Sequence, residues 1–370
     1  MRSLLRAGLL LGFVVSACKD SAGPPGDFSD PVAVSTDMQS VDSAFDSEVY
    51  RSFGTATQNL GSAATGVAPL KPAATMLSAT LPKLQHSAGR AAVLGAARAE
   101  RLQQLRPAMN EAAAQGRIIP DSVYGRVFQW DTASDSYTWQ DSTVAGLNGV
   151  RFILYQVDEF GFVAEPTVEV GTLDLIDEST LSSLQLHILV KGVGGTITYL
   201  DYTAAISAPG STLNASATGF ISNGLTAANK TLTFDETFVV TDTRVTANAT
   251  FTLNNPARAF TVSEVAAVSG QSLVITADFR FVRPGETVQF YARITFDSTI
   301  AINAAVRVNG RTVATFAGEL GDSGSVWVDA GGEPLTAEDI AALDALDDEA
   351  TAFQNAMNSL FLPIETFFGG

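Results

Sequence analysis

The sequence predicts a mainly β fold of the α+β kind: a large, curved antiparallel meander sheet covered by helices from both chain ends. Three patterns carry this. Between about Val123 and Val328, short runs alternate apolar and polar side chains with period two, which is the signature of half-buried strands. Turn residues separate the runs, at Asn148-Gly149, Gly194-Gly195, Pro209-Gly210, Asn223-Gly224, Asn254-Asn255-Pro256, Ser269-Gly270, Pro284-Gly285 and Asn309-Gly310. On both sides of this region the apolar period changes to that of a helix. The chain thus divides into four segments: a leader over 1–17, a tether over 18–36, an Ala-rich helical region over 37–117, and a β-meander domain over 118–370 that includes a C-terminal helix at 337–361.

The chain has 370 residues, 46% of them hydrophobic, and a net charge of −17, so it can bury a sizeable core. The charge is unevenly placed: residues 1–117 hold 11 basic and 9 acidic groups, and the remainder 11 basic and 30 acidic. An acidic β domain argues against a nucleic-acid partner, because phosphate binding needs clustered Lys and Arg.

The leader begins with the basic stretch Met1-Arg-Ser-Leu-Leu-Arg6 and continues through an apolar run, Ala7 to Val15, far short of the roughly 20 residues of a spanning helix. It reads as an export signal. It ends in Val15-Ser16-Ala17-Cys18, which resembles the lipobox of bacterial lipoproteins. That resemblance implies a mature chain starting at Cys18, acylated there and held on a membrane leaflet without a transmembrane segment. The residue after the cysteine is Lys19 rather than Asp, which by analogy with envelope sorting patterns leans towards the outer membrane. Cys18 is the single cysteine of the chain, so no internal disulfide is expected. Lys19 to about Thr36, with Gly23-Pro24-Pro25-Gly26, has the composition of a flexible tether.

In the Ala-rich region Val41, Phe45, Val49 and Phe53 recur four apart, one face of a helix. Pro69, Pro72 and Pro82 cut the stretch beyond Phe53 into pieces. The longest piece runs from Ala88 to Gln115, with Leu94, Ala97, Leu105, Met109 and Ala112 in one sector, Pro107 as a kink or restart, and Arg90, Arg98 and Arg101 beside the sector.

The clearest strands are Val245–Leu253, Leu273–Phe281 and Val288–Phe296, each with one dry and one wet face. The pattern predicts about fifteen strands in all. Asn-Gly supplies the two positive φ angles of a type I′ hairpin turn, so neighbouring strands are expected to pair antiparallel. So wide a sheet has to curl, and its apolar face needs a cover. Leu335-Thr336-Ala-Glu-Asp339-Ile340 opens a C-terminal helix with Thr336 as cap, and the helix is expected to end at Pro363. Phe279, Phe281, Phe290 and Phe296 on the sheet, with Leu346, Phe353 and Met357 on that helix, are the candidate lining of an apolar cavity.

Catalytic readings are weak. His86 and His187 have no Cys or second His near them in sequence, so neither metal nor cofactor is expected. Gly321-Asp322-Ser323-Gly324-Ser325 resembles the segment around the nucleophilic serine of chymotrypsin-like proteases, which would make Ser323 a hydrolase nucleophile with His187 as base. The Leu-Gln-Leu-His187-Ile-Leu context departs from that family, and the Ser323 segment suits a tight turn equally well. Asp131, Asp135 and Asp141, near Trp130 and Trp139, read as an acidic hairpin with an aromatic cross-strand pair. A transmembrane β-barrel shares the strand pattern. The architecture is similar to half-barrel carrier proteins of the bacterial envelope, which hold acyl chains between sheet and helices. That similarity implies a non-enzymatic, membrane-anchored protein that binds a lipid or other apolar small molecule. The alternative is a surface structural or adhesion lipoprotein with a fully packed core.

Overall fold

The computed structural model describes residues 34, 36–37, 45, 47–65, 106–158, 160–226, 228–270, 272–319, 326–337, 339–341, 343 and 360–369. Fifteen strands form one sheet: β1 (Arg126–Asp131), β2 (Ser136–Thr143), β3 (Gly149–Tyr155), β4 (Glu169–Asp177), β5 (Leu184–Gly192), β6 (Thr198–Ser207), β7 (Leu213–Ser222), β8 (Thr231–Val240), β9 (Arg244–Asn254), β10 (Ala257–Ser269), β11 (Ser272–Arg283), β12 (Glu286–Phe296), β13 (Ile300–Val308), β14 (Arg311–Glu319) and β15 (Val328–Asp329). From β3 to β15 each strand pairs antiparallel with its neighbour in sequence. The sheet is open, with β2 and β15 at its edges, whereas a bilayer-spanning barrel needs a closed ladder.

The other end departs from a plain meander and makes the sheet mixed. β1 and β2 form an antiparallel hairpin, but β3 pairs with β1 in parallel, through Val127↔Arg151 and Phe128↔Phe152. The order β3-β1-β2 follows from side chains. β1 carries the fully buried Phe128, whose ring stacks on that of Phe152 with centroids 4.6 Å apart. Most of β2 is exposed, from Trp139 to Thr143, and a polar strand is better placed at an edge.

The three Asn-Gly pairs have different fates. Asn309-Gly310 makes the expected two-residue hairpin between β13 and β14, with φ of 50° and 79°. Asn223-Gly224 instead opens the longer β7–β8 loop, where the Asn223 carboxamide oxygen accepts the N–H groups of Leu225 and Lys230. Gly149 is extended within β3, and a Cβ there would collide with the Leu175 carbonyl.

Alternation sends one face of every long strand inward. The ladder registers bring Tyr202, Gly219, Phe234, Phe251, Phe260, Phe281 and Val288 into one row across β6–β12. Helix α1 (Glu48–Thr65) lies against β2–β6, burying Val49, Phe53, Ala56 and Leu60. It starts later than the Val41-Phe45-Val49-Phe53 spacing predicts. The Tyr50 N–H donates to Ser47 Oγ at 3.1 Å, and this cap leaves Phe45 outside the helix in a turn. Helix α2 (Arg106–Gln115) takes Pro107 into its first turn, the position that tolerates a missing N–H. The Arg106 guanidinium donates to the Gly210 and Ser211 carbonyls at 2.7 Å each.

Thr336 and Asp339 exchange the hydrogen bonds of a capping box, Thr336 N to Asp339 Oδ2 at 3.3 Å and Asp339 N to Thr336 Oγ1 at 3.2 Å. Near the C-terminus Leu360 is helical, Phe361 lies in a turn, and Pro363 stands beyond that break. It lies in the first turn of α3 (Leu362–Gly369), which packs on α1. The fully buried Tyr202 hydroxyl donates to the Leu360 carbonyl at 2.9 Å, tying this end of the chain to the sheet, and burial pushes the Tyr202 phenol well above its ordinary range. No helix among the described residues is long and apolar enough to cross a membrane.

Candidate functional site

The inner face of β6–β14 carries a run of aromatic side chains. Because Gly219 carries no side chain between them, the rings of Tyr202 on β6 and Phe234 on β8 meet across β7 at 5.7 Å. A Cβ on Gly219 would collide with Tyr202 and with the Asp201 carbonyl. The series continues through Phe234–Phe251 at 6.3 Å, Phe260–Phe279 at 6.2 Å, Phe279–Phe290 at 6.4 Å, Phe290–Trp327 at 6.3 Å and Phe316–Trp327 at 5.7 Å.

The structure brings Phe279, Phe281, Phe290 and Phe296 to this one face. Phe279 lies opposite Phe290, Phe281 opposite Val288, and Phe296 opposite Leu273. Phe279 and Phe281 are buried, and Phe290 and Phe296 are partly so. Leu346, Phe353 and Met357, expected to face them, lie outside the described residues, as do Cys18, His86, Ser323 and most of the 1–36 segment.

Beside the aromatic row runs a band of small side chains. Ala204, Ala217 and Ala249 lie in the next row, which continues through Val262 to Phe279 and Phe290, and Ala247, Ala277, Ala292 and Ala304 lie in the one after, together with Ile206 and Phe238. Two buried carboxylates stand in the same band, Glu236 between Phe234 and Phe238 and Glu264 between Val262 and Ala266. A third charged group closes the row's β10–β12 end. Asp37 accepts from Arg258 at 2.6 Å and from Arg283 at 3.3 Å, and Arg283 Nε donates to Glu286 at 2.6 Å. Sequence reasoning passed over these groups, although the alternation of Phe234-Asp-Glu236-Thr-Phe238 already places Glu236 on the dry side. Asp37 had no such signal, because its partners lie more than 200 residues away.

The outer face carries separate polar clusters. His187 faces outward, with Nε2 2.8 Å from Asp201 Oδ1 and Nδ1 3.6 Å from Glu178 Oε1. Arg151 donates to Asp174 at two points, 2.6 and 2.7 Å, and this hydrogen bonding to the Asp174 carboxylate raises the Arg151 pKa. Burial works against ionised Asp278, but hydrogen bonds from Arg280 and Gln289 outweigh it and lower its pKa. Among the described residues no three His, Cys, Asp or Glu side chains converge as metal ligands would. Trp130 pairs with Tyr137 rather than Trp139, ring edge to face at 5.4 Å, while Trp139 lies under Arg126. Asp131 is a turn residue: it accepts from Ser134 Oγ and Ala133 N, and those bonds lower its pKa.

Comparison with protein-family models, with curated proteins and with solved structures finds no match to this chain.

Proposed function

We propose that this protein is a non-enzymatic bacterial envelope lipoprotein, exported, acylated at Cys18, and built to hold an apolar ligand against the inner face of its sheet. In this reading the sheet curves, segments from both chain ends cover its inner face, and the anchor keeps the body at the outer membrane. The observation that carries the ligand reading is the run of rings along the inner face, from Tyr202 and Phe234 through Phe279 and Phe290 to Trp327, with small side chains set among them at Ala277, Ala292 and Ala304. A chain-like apolar molecule would meet mostly rings and methyl groups along this stretch.

The second reading is a structural or adhesion lipoprotein with a solid core. It is favoured by the burial of the row itself, since Phe234, Phe251, Phe260 and Phe281 are all nearly inaccessible. Mass spectrometry of an organic extract of the purified protein separates the two. A stoichiometric acyl or other apolar species beyond the Cys18 modification is the expected result. A blank extract removes the ligand reading and leaves the scaffold. Cell fractionation tests the anchor: Cys18→Ser is expected to move the protein from the membrane to the soluble envelope fraction, and retention of the variant in the membrane refutes acylation at Cys18.

A further inference from the structure

The topology gives the sheet two rims. β3, β5, β7, β9, β11 and β13 all end on one of them, here called the near rim, because every pair from β3 onward is antiparallel. Its hairpin loops over β3–β8 expose large apolar side chains in succession: Phe160 and Phe162 between β3 and β4, Val193 between β5 and β6, and Leu225 between β7 and β8. They are 75%, 67%, 61% and 57% exposed. Adjacent hairpins of a sheet are two strands apart, about 10 Å, so the four side chains form a line along one edge of the body rather than scattered surface residues.

The tip that carries the two phenylalanines is held in shape. Asp158 Oδ1 accepts the N–H groups of Phe160 and Phe162 at 2.9 and 3.0 Å, Asp158 N donates to the Phe162 carbonyl at 2.8 Å, and Thr55 Oγ1 of α1 donates to the Gly161 carbonyl at 2.7 Å. Both rings are therefore presented to solvent on a supported turn.

The second observation is where the N-terminal segment meets the sheet. Asp37 is fixed by Arg258, near the start of β10, and by Arg283, at the end of β11. Both positions belong to the near rim, and Val34 just upstream is buried in the core. Asp37 therefore sits at the rim that bears the exposed rings. Fifteen residues lie between Cys18 and the buried Val34. A flexible linker of fifteen residues has a root-mean-square span of about 20 Å.

We propose that the near rim is a membrane-contact edge, with Phe160, Phe162, Val193 and Leu225 seated in the headgroup and upper acyl region of the bilayer to which Cys18 is anchored. The proposal rests on the anchor reading above for its membrane. The contact is apolar rather than electrostatic: Asp158, Glu165 and Glu169 flank the phenylalanine loop while Lys191 and Lys230 stand near Val193 and Leu225, so the rim's mixed charges give anionic lipid little net advantage, and the contact's strength depends little on salt. Aromatic side chains suit the interfacial layer. Once tethered, the rim needs only weak intrinsic affinity, because the linker makes the second contact intramolecular.

The test uses the full acylated chain in phosphatidylcholine vesicles, with one environment-sensitive fluorophore on a new thiol at Phe160→Cys, Leu225→Cys or Leu181→Cys. Leu181 is as exposed as Phe160, at 75%, but lies in the β4–β5 loop on the opposite rim. Blue-shifted emission, quenched by nitroxide-labelled lipid, is expected at 160 and 225, with water-like emission at 181. Water-like emission at 160 and 225, or equal quenching at all three, overturns the rim proposal, and a protein partner for the same edge then becomes the better reading. Failure of the anchor is seen separately, in the fractionation of Cys18→Ser. The same labels on the Cys18→Ser chain, added to concentrated vesicles, give the rim a test that does not depend on acylation.

Discussion

Replacing Asp177 by alanine offers a sharp test of how the segment before the sheet is docked. The Asp177 carboxylate is buried at the end of β4 and accepts four hydrogen bonds: Ile118 N at 2.7 Å, Ile119 N at 2.8 Å, Ser179 N at 3.0 Å and Tyr124 Oη at 3.2 Å. Ile118 and Ile119 are themselves buried, so their N–H groups have no route to water once the acceptor is gone. Each orphaned donor costs about 1–3 kcal/mol, while the less enclosed Ser179 and Tyr124 groups recover much of their loss from solvent. The expected destabilisation is about 3–5 kcal/mol, a large share of the ~5–15 kcal/mol typical of a folded domain. Asp177→Asn keeps one acceptor oxygen and is expected to cost about half as much. Urea denaturation at neutral pH reads the difference. Trp130 and Trp139 report on the β1–β2 end near this junction, and Trp327 reports on the far end of the sheet. A shift below about 1 kcal/mol for Asp177→Ala would show that the carboxylate does not hold the segment in place.

Four further substitutions probe other parts of the sheet. Burial first, then the charge and hydrogen bond of Asp177, push the Tyr124 phenol up to about 12 from its ordinary 10. The unfolded chain therefore ionises first, and stability should fall as pH rises from about 10 to 12. Tyr124→Phe should flatten that decline in thermal melts, and an unchanged slope would refute the assignment. Gly219→Ala forces a methyl group against Tyr202 and the Asp201 carbonyl and is expected to cost about 1–3 kcal/mol; a neutral result would mean that β6 and β7 can separate freely. Asp37→Ala removes charge-assisted bonds to two largely buried arginines and is expected to cost about 2–3 kcal/mol. It should also speed limited proteolysis near residue 37, whereas an unaltered cleavage rate would argue that other contacts hold that segment. Asp174→Ala breaks the two-point pair with Arg151 and should cost about 1–3 kcal/mol in the same denaturation assay.

Much of the sheet could be read from the chain because period-two alternation is a local property. Val245–Leu253, Leu273–Phe281 and Val288–Phe296 each fall within one strand, with the expected face inward. What alternation does not encode is which edge of a strand is paired. The insertion of β1 between β3 and β2 depends on Phe128 finding Phe152 across the chain, and no local pattern contains that contact. Asn-Gly failed as a uniform signal for a similar reason. Only at Asn309-Gly310 do both flanking strands begin at once, whereas Gly149 is set by close approach of the Leu175 carbonyl. The aromatic side of the candidate site was visible in the alternation. The rim was not, since it arises only when successive hairpins are brought to the same edge.

The strictly sequential order of β3 to β15 has a mechanical consequence. Each strand there holds only the strands before and after it, with no crossover to lock distant parts together. The array behaves as a chain of nearest-neighbour couplings, in which a hairpin added or removed as a unit leaves the remaining pairings intact. Pulled from its C-terminal end, the chain has first to free α3 from α1 and Leu360 from Tyr202; the sheet then yields by peeling, with the short β15 ahead of the longer strands behind it.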